Sequence, residues 1–316
     1  MKAFSIYESF STIAPILITI GIGYILGQFH MLSNRFVTEA NRLNYVIGFP
    51  LLLFNSTVTA DIRTLFDLRL VIYSISSIFI MAIIGYFLYG KFVSPDKQGA
   101  LTTTTFRSDI LLFAVYISGK LFGDKGVALA AMLTAFISPT VTTLSIFILS
   151  HLDQTHTKKL NLSQVLKDVA KNPFIIAVII GIFYNWSALP YPSMIQEPLA
   201  DIGAISIPLS LIAIGVQLDF KNIVADRKIV TLGVIARLVI VPIIFLAGAI
   251  VLGFTGMSLA CLFAQYAAPA TSSCFTFAEQ MNSDAQLAGN IVVFSTVFSI
   301  LTIFIGLVIL TSMGVL

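Results

Sequence analysis

The sequence predicts an all-α integral membrane protein of ten transmembrane helices, arranged as two inverted repeats of five. Three observations predict it. Hydrophobic residues make up 57% of the 316 and charged residues only 10%, with a mean hydropathy of +0.96, whereas a soluble domain keeps roughly a quarter of its residues charged. Apolar windows of about 20 residues, the length that crosses a bilayer as helix, recur along the whole sequence. Two such windows, one in each half, are interrupted by proline in similar surroundings. The first is Asn41-Arg42-Leu43-Asn44-Tyr45-Val46-Ile47-Gly48-Phe49-Pro50-Leu51-Leu52-Leu53-Phe54, and the second is Asp201-Ile202-Gly203-Ala204-Ile205-Ser206-Ile207-Pro208-Leu209-Ser210-Leu211-Ile212.

The spans fall near 9–29, 36–58, 68–91, 98–120, 126–150, 173–190, 197–218, 229–252, 256–280 and 285–312. Span 1 carries Glu8, has only Lys2 before it and lacks a small-residue cleavage site, so it reads as a retained helix and not as a signal peptide. Spans 2 and 7 hold Pro50 and Pro208, which lie 158 residues apart. Span 7 opens with Glu197 and Asp201, the latter expected as a helix-start residue. Residues 151–172 join the repeats 1–150 and 173–316. Within them Leu162, Val165, Leu166 and Val169 share a helical face among Lys158, Lys159, Lys167 and Lys171, which suits an interfacial helix; a solvated linker is an equal alternative. Gly123-Asp124-Lys125-Gly126 and Ser283-Asp284-Ala285-Gln286 correspond at a shift of 160. Five spans per half is an odd number, so the second half enters from the opposite face.

Lys and Arg in short loops set orientation. With both termini outside, the inner loops hold Arg35, Arg42, Lys91, Lys97, Lys158, Lys159, Lys167, Lys171, Lys221, Arg227 and Lys228, and the outer side holds Lys2, Arg63, Arg69, Lys120 and Lys125. The net charge of +3 reflects that topology and gives no indication of nucleic acid. Cys261 and Cys274 read as small buried hydrophobes, and neither a disulfide framework nor a metal site is supported.

Beyond these loop and span-end cations, Arg107 and Arg237 fall deep inside spans, and ionisable groups at membrane depth are functional hypotheses by default. Span 4 reads Thr102-Thr103-Thr104-Thr105-Phe106-Arg107-Ser108-Asp109. On a regular helix Arg107 and Asp109 point to different faces; they share a site only if the helix is unwound there, and otherwise Arg107 snorkels and Asp109 sits in a wet vestibule. The threonines either satisfy backbone carbonyls or line a polar cavity. Span 9 reads Gln265-Tyr266-Ala267-Ala268-Pro269-Ala270-Thr271-Ser272-Ser273. Pro269 breaks the hydrogen-bond ladder, and freed backbone groups at that depth are tolerated only against protein or a watery cavity. A packing kink is the alternative. Two broken spans crossing would bring half-helix N-termini to the midplane, where they favour an anionic group. Candidate substrate-binding residues are therefore Arg107, Ser108, Asp109, Gln265, Tyr266, Pro269, Ser272 and Ser273, with Asn44 and Asn55 of span 2. Arg237 needs a partner or water. No G-x-S-x-G, H-E-x-x-H or Walker-type loop is present, so an enzyme is not expected, and no cofactor is implied.

The sequence resembles the auxin efflux carrier family, which includes plant PIN proteins and bacterial malate or malonate permease-like proteins. The resemblance rests on Asn41-Arg42 with Pro50-Leu51-Leu52 and Phe54, on Lys171-Asn172-Pro173, and on Ala267-Ala268-Pro269 followed by Phe275-Thr276-Phe277-Ala278-Glu279. It implies a fold like that of bile-acid sodium symporters, with spans 1, 2, 6 and 7 as scaffold, spans 3–5 and 8–10 as a mobile transport domain, and spans 4 and 9 as the broken crossover helices. It also implies a homodimer built through the scaffold and an elevator-like motion carrying small organic anions. The sequence departs from the family pattern at Asp109, where Asn is usual, and at Ala114 and Tyr116, where Gly and Pro are usual.

The function expected is secondary transport of a small carboxylate of the malate, malonate or auxin-like class across a bacterial inner membrane. Asp109 would be the proton or cation carrier. Sodium coupling is an alternative, and a non-transporting sensor or channel-like uniporter is another.

Overall fold

The structure is a computed structural model that describes residues 6–59, 67–153, 171–187, 189–218 and 226–316. The amphipathic stretch around Leu162–Val169, the cations Lys2, Arg63 and Lys221, and Asp219 lie outside those residues. Every regular element among the described residues is a helix: α1 (Ile6–Gln28), α2 (Asn34–Leu43), α3 (Phe49–Thr59), α4 (Leu68–Tyr89), α5 (Pro95–Phe106), α6 (Ile110–Leu152), α7 (Pro173–Ser187), α8 (Ser193–Ala204), α9 (Ser206–Gln217), α10 (Arg227–Ile235), α11 (Val241–Val251), α12 (Gly256–Ala267), α13 (Ser273–Gln280) and α14 (Ala285–Ser312). Among the described residues, five stretches are long and apolar enough to cross a membrane: Leu68–Tyr89, Ile110–Leu152, Ser193–Gln217, Arg227–Val251 and Ala285–Ser312.

The solvent of the outer faces can be read from which side chains are turned outward. On α14, Ser295, Thr296 and Ser299 are buried while Phe298, Leu301, Ile305 and Ile309 are exposed; on α4, Ser74 and Ser77 are buried while Phe79, Ile83 and Phe87 are exposed. Water would favour the reverse. Lipid tails are as apolar as leucine, so small and hydroxyl residues go to helix contacts. Four of these five buried hydroxyls bond backbone carbonyls of their own helix, as Ser299 does with Thr296 and Ser77 with Ser74.

Each proline interruption follows from a missing N–H. A π-turn at Asn44–Gly48 precedes Pro50, and another at Ala236–Ile240 precedes Pro242. The break between α8 and α9 falls at Ile205, just ahead of Pro208. The two proline-broken segments pack on each other, because Asn44 Nδ2 donates to the Ser206 carbonyl (3.0 Å) and to Ser210 Oγ (2.8 Å). The helix containing Asp201 begins at Ser193 with Pro192 at its cap. Asp201 therefore lies in the third turn and does not start the helix, which corrects the expectation for it; the helix begins at Ser193, ahead of the apolar window.

α1 packs along α9, and α3 along α7. These contacts are so close that only glycine fits. A Cβ on Gly23 would lie 2.3 Å from the Ile212 carbonyl oxygen, and one on Gly181 would lie 2.8 Å from Thr57 Cβ and 3.2 Å from the Phe54 carbonyl oxygen. Gly181 stands 158 residues after Gly23, and Ile212 stands 158 after Phe54. The same contact is therefore made twice, with the halves exchanged. In α6 the chain reverses at Gly123 (φ 61, ψ −148), a backbone conformation that L side chains avoid.

At the far side, Lys97 pairs with Asp226, joining the start of α5 to the start of α10. The hydrogen bond from Lys97 to the carboxylate holds its ammonium above the ordinary lysine pKa. Asp284 caps α14 through Leu287 N (2.8 Å), and its own N–H donates to the Asp96 carbonyl. The starts of α5, α10 and α14 are thus tied together.

Candidate functional site

Two helices stop halfway and restart, and their unwound segments cross. α5 ends at Phe106 and α6 starts at Ile110, although no proline lies between them; α12 ends at Ala267, with Ala268 extended (ψ 146), and α13 starts at Ser273. Ser108 and Ala270 form an antiparallel bridge, in which Asp109 N–H donates to the Pro269 carbonyl (2.9 Å) and Thr271 N–H donates to the Arg107 carbonyl (3.3 Å). The Ala270 N–H finds Ser295 Oγ at 3.1 Å. Backbone groups released by unwinding are thereby re-paired across the crossing, which is the condition for irregular backbone at membrane depth.

Arg107 is 8% exposed. Its Nε donates to Ser273 Oγ (2.9 Å) and its Nη1 to Ser145 Oγ (3.2 Å), and its guanidinium carbon lies 4.4 Å from the centroid of the Phe277 ring. Unwinding places Arg107 and Asp109 on one cavity of about 440 Å³, shared with Ser108, Ser273, Phe277, Thr134, Ser138, Thr142 and Thr143. Among the described residues the ion pairs are Arg35–Glu39 and Lys97–Asp226, so Arg107 and Asp109 do not neutralise each other directly. A second cavity of about 200 Å³ is lined by Asn41, Asn44, Tyr45, Asp109, Phe174, Ser210, Gln217, Thr271 and Ser272. Asp109, Tyr45, Leu111, Phe174 and Thr271 line both cavities.

The crossing therefore brings together Arg107, Ser108, Asp109, Ser272, Ser273 and Asn44, and Pro269 contributes its carbonyl to the bridge. Other candidates stand elsewhere. The Tyr266 side chain is fully buried away from both cavities; its hydroxyl donates to Ser77 Oγ (2.8 Å) and its ring packs on Phe245. Gln265 is 2% exposed, and its amide makes no hydrogen bond among the described residues. Asn55 accepts from Tyr191 (3.1 Å), beside the rings of Phe54 and Tyr184; it lies eleven residues beyond Asn44 on the same span, about 16 Å along a helix.

Sequence reasoning passed over Tyr45, Thr271, Phe277 and the hydroxyl stripe of α6. That stripe had a signal: Thr134, Ser138 and Thr142 recur every four residues beside Pro139 in an otherwise apolar span, one face of a helix. Tyr45 and Phe277 had none, because an aromatic residue in an apolar window reads as lipid-facing or core.

Arg237 is fully buried in the π-turn of α10–α11. Its Nε donates to the Ala268 carbonyl (2.8 Å), Nη1 to the Thr105 carbonyl (3.0 Å) and Nη2 to the Gln265 carbonyl (2.8 Å). Cys261 and Cys274 are buried and free.

Residues 8–306 match the family described as membrane transport protein. An uncharacterized transporter of Methanothermobacter thermautotrophicus is 24% identical over 300 residues, covering 93% of this chain and 96% of that protein. A probable auxin efflux carrier component 5b of Oryza sativa subsp. japonica is 28% identical over 138 residues, 42% of this chain and 38% of that protein. The chain is thus a multi-pass membrane protein and a transporter rather than an enzyme, and it belongs to the auxin efflux carrier-like family of membrane transport proteins.

Proposed function

We propose that this transporter moves small organic anions of the carboxylate class by alternating access, with the Arg107 cavity as the substrate site and Asp109 as the proton carrier. One observation carries the reading: a buried guanidinium, held by two serines, faces a hydroxyl-lined cavity onto which the N-terminal turns of α6 and α13 also open. Half-helix N-termini and a fixed cation favour a negative group, and the guanidinium fork matches a carboxylate. The architecture we propose is ten spans in two inverted repeats. Spans 1, 2, 6 and 7 form a scaffold through which the protein dimerises, and spans 3–5 and 8–10 form a transport domain that moves elevator-like, with both termini outside a bacterial inner membrane. The exchanged contacts of Gly23 with Ile212 and of Gly181 with Phe54 support the two-fold relation of the halves.

An ionised Asp109 beside the substrate opposes it. Two like charges about 6 Å apart at an effective dielectric near 20 repel by about 3 kcal/mol, roughly a hundredfold in binding. Protonated Asp109 with bound anion is then the favoured loaded state, which couples one proton to each anion in the same direction. Asp109→Asn should keep counterflow of labelled malonate in proteoliposomes and lose accumulation driven by a pH gradient. Accumulation that follows the gradient in Asp109→Asn would remove Asp109 from the coupling role.

A further inference from the structure

The carbonyls around Arg237 are the terminal acceptors of two half-helices. Thr105 belongs to the last turn of α5, Gln265 to the last turn of α12, and Ala268 to the unwound residues just after it. Helix ends leave carbonyls without intrahelical donors and concentrate partial negative charge there. In transporters with discontinuous helices, unwound carbonyls and half-helix C-terminal ends are where a coupling sodium is held. Here each of the three carbonyls accepts a hydrogen bond from a different nitrogen of one guanidinium, at 2.8–3.0 Å. That side chain is completely buried and takes part in neither of the ion pairs among the described residues. Arginine keeps its charge in proteins. The Tyr266 hydroxyl is directed at Ser77. The counter-charge of Arg237 is therefore the pair of half-helix C-termini.

We propose that Arg237 is a built-in cation that occupies the place of a coupling alkali ion at the crossing, making the carrier independent of sodium. This deepens the transport reading, and it rests on that reading only for its consequence for flux. The π-turn is what allows it: the extra residue at Ala236–Ile240 re-aims the side chain at position 237 without ending the helix.

Melting of the full-length protein in detergent, at equal ionic strength of sodium, potassium or choline chloride, tests the proposal together with Arg237→Ala. The wild type should melt alike in all three salts. Arg237→Ala should melt roughly 5 °C or more lower and regain most of that loss with millimolar guanidinium or with sodium, but not with choline. A purely structural staple predicts the loss without cation-selective recovery, and that result overturns the proposal. Selective stabilisation of the wild type by sodium, or a variant that melts like the wild type, also overturns it. If Arg237→Ala yields no folded protein, Arg237→Lys and Arg237→Met decide: folded Lys with lost Met supports a need for charge, while equal behaviour of the two, folded or lost, counts against it. Absent malonate flux alongside the expected ion response would instead sink the transport reading and leave the built-in cation standing.

Discussion

Arg107→Gln should lower malonate counterflow by about a hundredfold or more while leaving the purified protein folded. The magnitude follows from the cost of removing a buried cation from a charged hydrogen-bonded pair, about 2–5 kcal/mol. The fold should survive because the partners of Arg107 have other acceptors: Ser145 Oγ also donates to the Val141 carbonyl (2.6 Å), and Ser273 Oγ to Thr271 Oγ1 (3.3 Å). The bridge at Ser108–Ala270 uses backbone groups that the substitution leaves in place. Arg107→Lys keeps the charge and loses the fork, so it should fall between the two, closer to tenfold. Initial rates of counterflow, with melting temperature measured on the same preparations, check both. Wild-type rates in Arg107→Gln would place the substrate elsewhere, and the second cavity at Asn44 and Ser210 would be the next place to look.

The second large effect is on stability. Gly23→Leu should destabilise the protein by about 3 kcal/mol or prevent its accumulation, because overpacking costs about 1–3 kcal/mol even where side chains can adjust. Here the obstacle is backbone: the Ile212 carbonyl oxygen, Cα and carbonyl carbon all lie within 3 Å of the new Cβ. Only separation of α1 from α9 relieves it. Gly215, across the same contact, has its own Cβ position 2.2 Å from the Ile20 carbonyl oxygen, so neither helix can give way by rotating. Gly21→Leu is the matched control, with nothing within 4 Å of its Cβ position, and should change melting by less than about 1 kcal/mol. Equal melting of the two variants would mean that α1 does not sit on α9 as described.

Several residues of the proposed site are legible in the sequence, for identifiable reasons. Arg107, Asp109 and Arg237 stand out because a charge in an apolar span is costly and must be used or paired. Pro269 stands out because its missing N–H has to break the ladder somewhere nearby. Pro50 and Pro208 marked real interruptions, and their pairing through Asn44, Ser206 and Ser210 joins the two halves. Asn55, Gln265 and Tyr266 are polar residues of the same spans, but neither cavity includes them: Asn55 lies eleven residues along the span from Asn44, and Tyr266 is turned toward Ser77 and Phe245.

The break between Phe106 and Ile110 shows where sequence reasoning stops. No proline or glycine lies there, and local propensity would carry the helix through the four threonines and on through the rest of span 4. What holds it open is remote in sequence: the Pro269 and Thr271 backbone, Ser273 on the Arg107 side chain, and Arg237 on the Thr105 carbonyl. The sequence by itself determined that the chain is helical and lipid-solvated, and which few charged residues stand at membrane depth. These follow from composition, period and the cost of charge in hydrocarbon, all of which are local. Only the tertiary structure decided that Arg107 and Asp109 share a cavity and that Arg237 serves the crossing. An unwound segment is stable only when another segment supplies its hydrogen bonds, and no local pattern records which segment that is.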